Sequence, residues 1–141
     1  MAPAPVQRLG ENEVRVQGNL LHIRAHGPLT LDVAQQLIQL LRQLHQQHGT
    51  YYVIVDLHQA GNVPPELRRM LPEQIRAFAP AAMALYGGNT LVRAMTALVI
   101  GAITLVTGTR KNVATFASEA SALAWLTTHG LRAGSSGDLP S

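Results

Sequence analysis

The first regular pattern along the chain is an alternation. Residues 13–17 place Val14 and Val16 between polar neighbours, and residues 20–25 return through Leu20, Leu21 and Ile23 after Gly18 and Asn19. Period two on both sides of a two-residue turn predicts a β-hairpin, and Gly27-Pro28 breaks it. From residue 31 the period lengthens to that of a helix. Ala34, Leu37, Ile38, Leu41 and Leu44 share one face through residue 47, Leu40 widens the stripe, and glutamines with Arg42 fill the rest. Thr30 caps this helix, Asp32 complements its positive end, and Gly49 stops it.

Residues 51–57 run Tyr51, Tyr52, Val53, Ile54, Val55, Asp56, Leu57 with little alternation, which predicts a strand covered on both faces. Pro65 suits the first turn of a helix from about Glu66; Pro72 is expected to break or kink it, with a second piece over residues 73–78. Residues 81–86 read as a strand. Gly87, Gly88, Asn89 and Thr90 turn into a helix over residues 91–106, which Gly108 stops. Residues 112–116 read as the last strand. Ser118 caps a helix over residues 119–128 that carries Ala120, Leu123, Ala124 and Trp125, and Gly130 terminates it.

The order is β-β-α-β-α-β-α-β-α. A hairpin followed by α/β units implies a mixed sheet of about five strands with about four helices and right-handed crossovers. The Pro/Ala-rich start and the Gly/Ser-rich end read as loose, so we expect a flexible segment over 1–11, one domain over 12–130 and a disordered tail over 131–141.

Composition narrows the chemistry. The chain has 141 residues, enough for a substantial core, and no cysteine, which excludes disulfides and thiolate catalysis. The net charge of +3 is spread thinly: from Arg76 to Arg110 there is no acid, yet the basic residues are too sparse for a nucleic-acid footprint. The first residues lack a basic start followed by an apolar run, so a cytoplasmic location without a secretory signal is expected. No stretch is long and apolar enough for a transmembrane span.

Several residues could carry chemistry. Asp56 stands at the carboxyl end of a strand with His58 two residues on, an arrangement that could orient a general base or simply hold the loop. His45 and His48 fall one turn apart near a helix end, where the helix dipole favours histidine; no third ligand stands in a motif relation to them, nor to His22 and His26, so no metal is expected. Gly88, Asn89, Thr90 and Arg93 open a helix whose amide groups could face an anion, although no Walker lysine or glycine triplet accompanies them. In the helix over 91–106, Arg93, Thr96, Thr104 and Thr107 span a polar band of roughly 80° that also contains Ile100. Leu91, Met95, Leu98, Val99, Ala102, Ile103 and Val106 leave apolar surface well beyond what one sheet face needs.

Three short segments carry a family resemblance: Gly27-Pro28-Leu29-Thr30, Val55-Asp56-Leu57, and the closing run from Val113 through Phe116, Ser118 and Glu119 to Ala124-Trp125-Leu126. Together with the element order they resemble the SpoIIAA-like branch of the STAS family over about residues 12–129. The resemblance implies a small mixed-sheet α/β scaffold. Anti-sigma-factor antagonists of the wider family carry a phosphorylated serine in the loop after the third strand. The corresponding residues here are Asn62, Val63, Pro64, Pro65 and Glu66, and none of them offers a hydroxyl. The branch is also grouped with CRAL-TRIO lipid-transfer domains, which brings an apolar ligand into view by analogy of fold.

The sequence reading is therefore a non-enzymatic STAS-like interaction module without the serine switch and without a cofactor. It binds a protein partner, or itself as a homodimer, through the apolar helix over 91–106. The alternative is a lipid or other apolar small molecule held between that helix and the sheet.

Overall fold

The computed structural model describes residues 6–61, 63–88 and 113–131. Three antiparallel strands open the fold: β1 (Val6–Leu9), β2 (Asn12–Gln17) and β3 (Leu20–Gly27). Three more, β4 (Tyr52–Ala60), β5 (Ala82–Tyr86) and β6 (Val113–Phe116), add on in parallel, each beside the one before it. The result is a six-stranded mixed sheet in the order β1-β2-β3-β4-β5-β6. α1 (Leu31–His48) and α2 (Pro65–Ile75) pack on one face; α3 (Glu119–Thr128) packs on the other.

The fold class is the one the pattern implies, with one more strand. Val6–Leu9 lies in the segment expected to be a loose end, yet it pairs with β2 from Val6 opposite Arg15 to Leu9 opposite Asn12. Only Leu9 of its four residues is buried, so no alternation marks the strand in the sequence. Asn12 secures it: the side-chain amide donates to the Leu9 carbonyl at 3.0 Å, and its oxygen accepts the His26 N–H at 2.8 Å. This buried side chain thereby ties the β1–β2 turn to the end of β3.

α1 forms as expected, with the Thr30 hydroxyl accepting the Val33 N–H at 3.3 Å and the Gly49 N–H donating to the His45 carbonyl at 2.8 Å. α2 departs from expectation. It runs through position 72 without a break and gives way to a 3-10 turn, Arg76–Phe78, only after Ile75. A prolyl φ is itself helical, so one proline removes a donor without ending the helix when neighbours are anchored. Leu67 and Ile75 provide those anchors on either side, at 2% and 3% exposure.

Strand alternation separates two cores. Val14, Leu21 and Val53 point toward α1 and α2, where Val33, Ile38, Leu41, Leu44, Ile75 and Phe78 complete an aliphatic layer. Tyr51 closes its lower end, its hydroxyl donating to the Phe78 carbonyl at 2.5 Å; burial raises that phenol's pKa above its ordinary value. On the opposite face Leu20, Tyr52, Ile54, Ala82 and Ala84 meet Ala122 and Leu126 of α3. Trp125 is half-buried, its ring 5.6 Å from Phe116 and 4.1 Å from His129. No helix among the described residues is long and apolar enough to cross a membrane.

Candidate functional site

The parallel strands end together, and β4 is irregular there. Arg24 pairs with Asp56 but His26 pairs with Gln59, so two steps on β3 face three on β4. The extra residue is a bulge, a device that re-aims side chains. It turns His58 back onto the carboxylate of Asp56. One oxygen, Oδ1, accepts the His58 N–H at 2.9 Å and faces His58 Nδ1 at 2.7 Å. The other, Oδ2, lies 3.8 Å from Arg24 Nε. Gly87 makes room for the imidazole: a Cβ at that position would fall 2.5 Å from the ring, and its φ of +79° also disfavours any other residue.

The charges continue across the sheet. Arg24 lies 3.5 Å from Glu13, and Glu13 lies 3.7 Å from Arg8. Alternating signs thus run from β1 to β4 as Arg8, Glu13, Arg24 and Asp56. Each exposed pair is worth well under about 1 kcal/mol, so the strip displays charge more than it stabilises the fold. Tyr86 borders it on β5. Burial, then the carboxylates of Asp56 and Glu119, push its phenol up to about 12, so it stays protonated beside Asp56. Behind Arg24 the strip deepens into a polar trough of about 160 Å³ that includes His22 and Arg15. Burial first, and the nearby Arg15 charge second, lower the His22 pKa to about 4 and keep the ring neutral.

Asp56 has both oxygens engaged and is a holding group for His58. A general base oriented in this way needs a nucleophile or acidic proton within hydrogen-bond reach. The loop from His58 to Glu66 contains no Ser, Thr or Cys to supply one. His58 itself is 60% exposed and presents its outer edge to solvent.

A second feature lies on the other face, beneath the same loops. α1, α2 and the sheet flank a partly open cavity of about 180 Å³, lined by Val33, Ile38, Leu41, Val53, Val55 and Ile75 among others.

The residues singled out from the sequence divide into three groups. Asp56 and His58 come together as a pair. Pro64 caps α2 and Pro65 is its first residue, both at the same end of the sheet; Gly88 follows β5 with φ +76°. Asn62, the remaining anion-site residues Asn89, Thr90 and Arg93, and the apolar set Leu91, Met95, Leu98, Val99, Ala102, Ile103 and Val106 lie outside the described residues. His45 and His48 sit in the last turn of α1, and no group of three His, Cys, Asp or Glu ligands forms among the described residues. Arg24 and Tyr86 were not singled out, because they reach Asp56 from neighbouring strands, and Glu13 joins only through Arg24. The available signal was the hairpin's own alternation, which puts Glu13, Arg15, His22 and Arg24 on one face.

A mixed sheet with consecutive parallel strands, helices on both faces and a charged carboxyl edge defines a STAS-like α/β domain. The chain belongs to the SpoIIAA-like family, which matches residues 20–127 and so begins at β3. A structure from Shewanella loihica PV-4, described as an uncharacterized DUF3478-family protein with a SpoIIAA-like fold, is similar at 17% identity and TM-score 0.57. The likeness covers 87% of this chain and 91% of that one. The anti-sigma factor antagonist SpoIIAA in its unphosphorylated form is similar at 13% identity and TM-score 0.51, over 89% of this chain and 96% of that one. At these identities the likeness concerns the fold alone. No curated protein matches the sequence.

Proposed function

We propose that this chain is a non-enzymatic, cytoplasmic interaction module. It binds a protein partner, or a second copy of itself, through the charged carboxyl edge of the sheet, without a phosphorylation switch. The observation that carries this reading is the engagement of Asp56. His58 and Arg24 stand against its two oxygens, which leaves an ordered, alternating row of charges along the strand ends. Alternating charge of this kind gives orientation and specificity to an encounter more than raw affinity. A structural neighbour described as an anti-sigma factor antagonist is consistent with a partner-binding role on this scaffold. The loop carrying Asn62, Pro64 and Pro65 has no hydroxyl to phosphorylate, so binding is constitutive. Leu91, Met95, Leu98, Val99, Ala102, Ile103 and Val106 are the sequence's candidates for the apolar part of the contact.

The test uses wild-type chain and Arg24→Glu as baits for quantitative capture from the source lysate. It is paired with peptide mapping of residues 57–69 after incubation with a family kinase. The expected result is one protein held stoichiometrically by wild type and lost by the variant, whose circular dichroism is unchanged, with no phosphate on the mapped peptide. Equal capture by both baits, or phosphate in that loop, would sink the proposal.

A further inference from the structure

We infer that the cavity between α1, α2 and the sheet is a binding site for one small, uncharged, apolar molecule, an aromatic ring or a short alkyl chain. Three observations carry the inference. The first is size. The cavity, about 180 Å³ and partly open toward solvent, is comparable in volume to the roughly 150 Å³ aliphatic void that takes up benzene, which sets the ligand at about six to eight non-hydrogen atoms.

The second is the chemistry of the wall. Val33, Ile38 and Leu41 of α1 face Val53 and Val55 of β4 across it. Asn12 is the one polar side chain among the described lining residues, and both ends of its amide are engaged, with the Leu9 carbonyl and the His26 N–H. A charged or strongly polar ligand would lose its hydration there and gain no partner.

The third is position and cause. The cavity reaches the carboxyl ends of β3 and β4, where Gly27, Ala60 and Gly61 are small and the Gly61 N–H donates to the Gly27 carbonyl at 2.9 Å. That is the end of the sheet at which α/β folds hold ligands. The β4 bulge lies there too, between pairs Arg24–Asp56 and His26–Gln59, and Ala25 and Leu57 on either side of it line the cavity. The irregular register and the small residues leave space that regular pairing and larger side chains would fill. Ordinary cores leave few voids larger than a water molecule.

The inference is independent of the partner-binding reading, because the charged strip lies on the opposite side of the strands. The probe is benzene, added to the intact chain while methyl resonances and the thermal midpoint are followed. Saturable one-to-one perturbation of the Val33, Leu41 and Val53 methyls is expected, with a midpoint that rises as benzene is added. Val55→Phe, which fills the space, is expected to raise the midpoint without benzene and to abolish the perturbation. Ala25→Leu fills the same space from the mouth and carries the test if Val55→Phe does not fold. Trp125→Ala and Arg24→Glu, on the other face, are expected to leave benzene binding unchanged. Two results would overturn the inference: no perturbation of these methyls at saturating benzene, or the same perturbation in a filled variant. Cross-relaxation showing that other side chains of the chain already fill the cavity would overturn it as well.

Discussion

The two faces of the sheet are built from the same strands and do opposite work. Toward α1 and α2 nearly every inward residue is aliphatic, and stability there depends on volume. Toward α3 the apolar patch ends at Ile54 and Ala84, and the next residues along the strands are Arg24, Asp56 and Tyr86. α3 packs mainly over β4 to β6 and meets β3 at Leu20, so among the described residues the β2 side chains and the carboxyl half of β3 on that face remain open to charge. Among the described residues, half a sheet face without a helix over it is thus what gives the domain a surface chemistry.

The comparison breaks first where packing is densest. Leu44 is 2% exposed, lies in the α1 core and does not line the cavity. Leu44→Ala should cost about 3–5 kcal/mol in a chemical denaturation curve, as tightly packed leucines do. A loss under about 1 kcal/mol would mean that this face is as plastic as its cavity suggests. The α3 face should be more forgiving. Trp125 is only half-buried against Phe116 and His129, so Trp125→Ala should cost about 2 kcal/mol, below the 3–5 of a fully buried aromatic. A loss equal to that of Leu44→Ala would erase the distinction between the faces.

The smallest effect belongs to pH. His22 has a folded pKa of about 4 against an unfolded value of 6.5, so the unfolded chain binds the extra proton between these values. Its contribution is therefore complete above pH 6.5 and is lost as pH falls toward 4. Since the ring is partly open to solvent, the loss is about 1 kcal/mol once screening is discounted. His22→Gln should flatten the stability–pH curve across that window in denaturant titrations. An unchanged slope would place the acid sensitivity elsewhere.

Local rules made much of this architecture legible. α1 has a cap, a stripe and a stop within its own residues, and the hairpin has its turn; both stand where the pattern puts them. β1 was hidden because a four-residue edge strand with one buried side chain has no period to show. α2 has no break at Pro72 because tertiary anchors at Leu67 and Ile75 outweigh one missing donor. At the site, Asp56 and His58 could be paired from spacing alone. Arg24 and Tyr86 could not, since their approach depends on which strands are neighbours. The bulge is a property of two strands in register, and the cavity of three elements together, so neither leaves a mark in any single segment.

The strand order has a consequence for how the chain assembles. Every strand's partner is its immediate predecessor, beginning with β1, β2 and β3 around the tight turns at Gly10-Glu11 and Gly18-Asn19. Those pairs close the shortest loops and lose the least chain entropy, so a three-stranded meander can form before any parallel pairing. Each later strand then meets an edge that already exists. A ribosome delivers the chain in that same sequence, and the sheet can grow in step with synthesis without waiting for a distant segment.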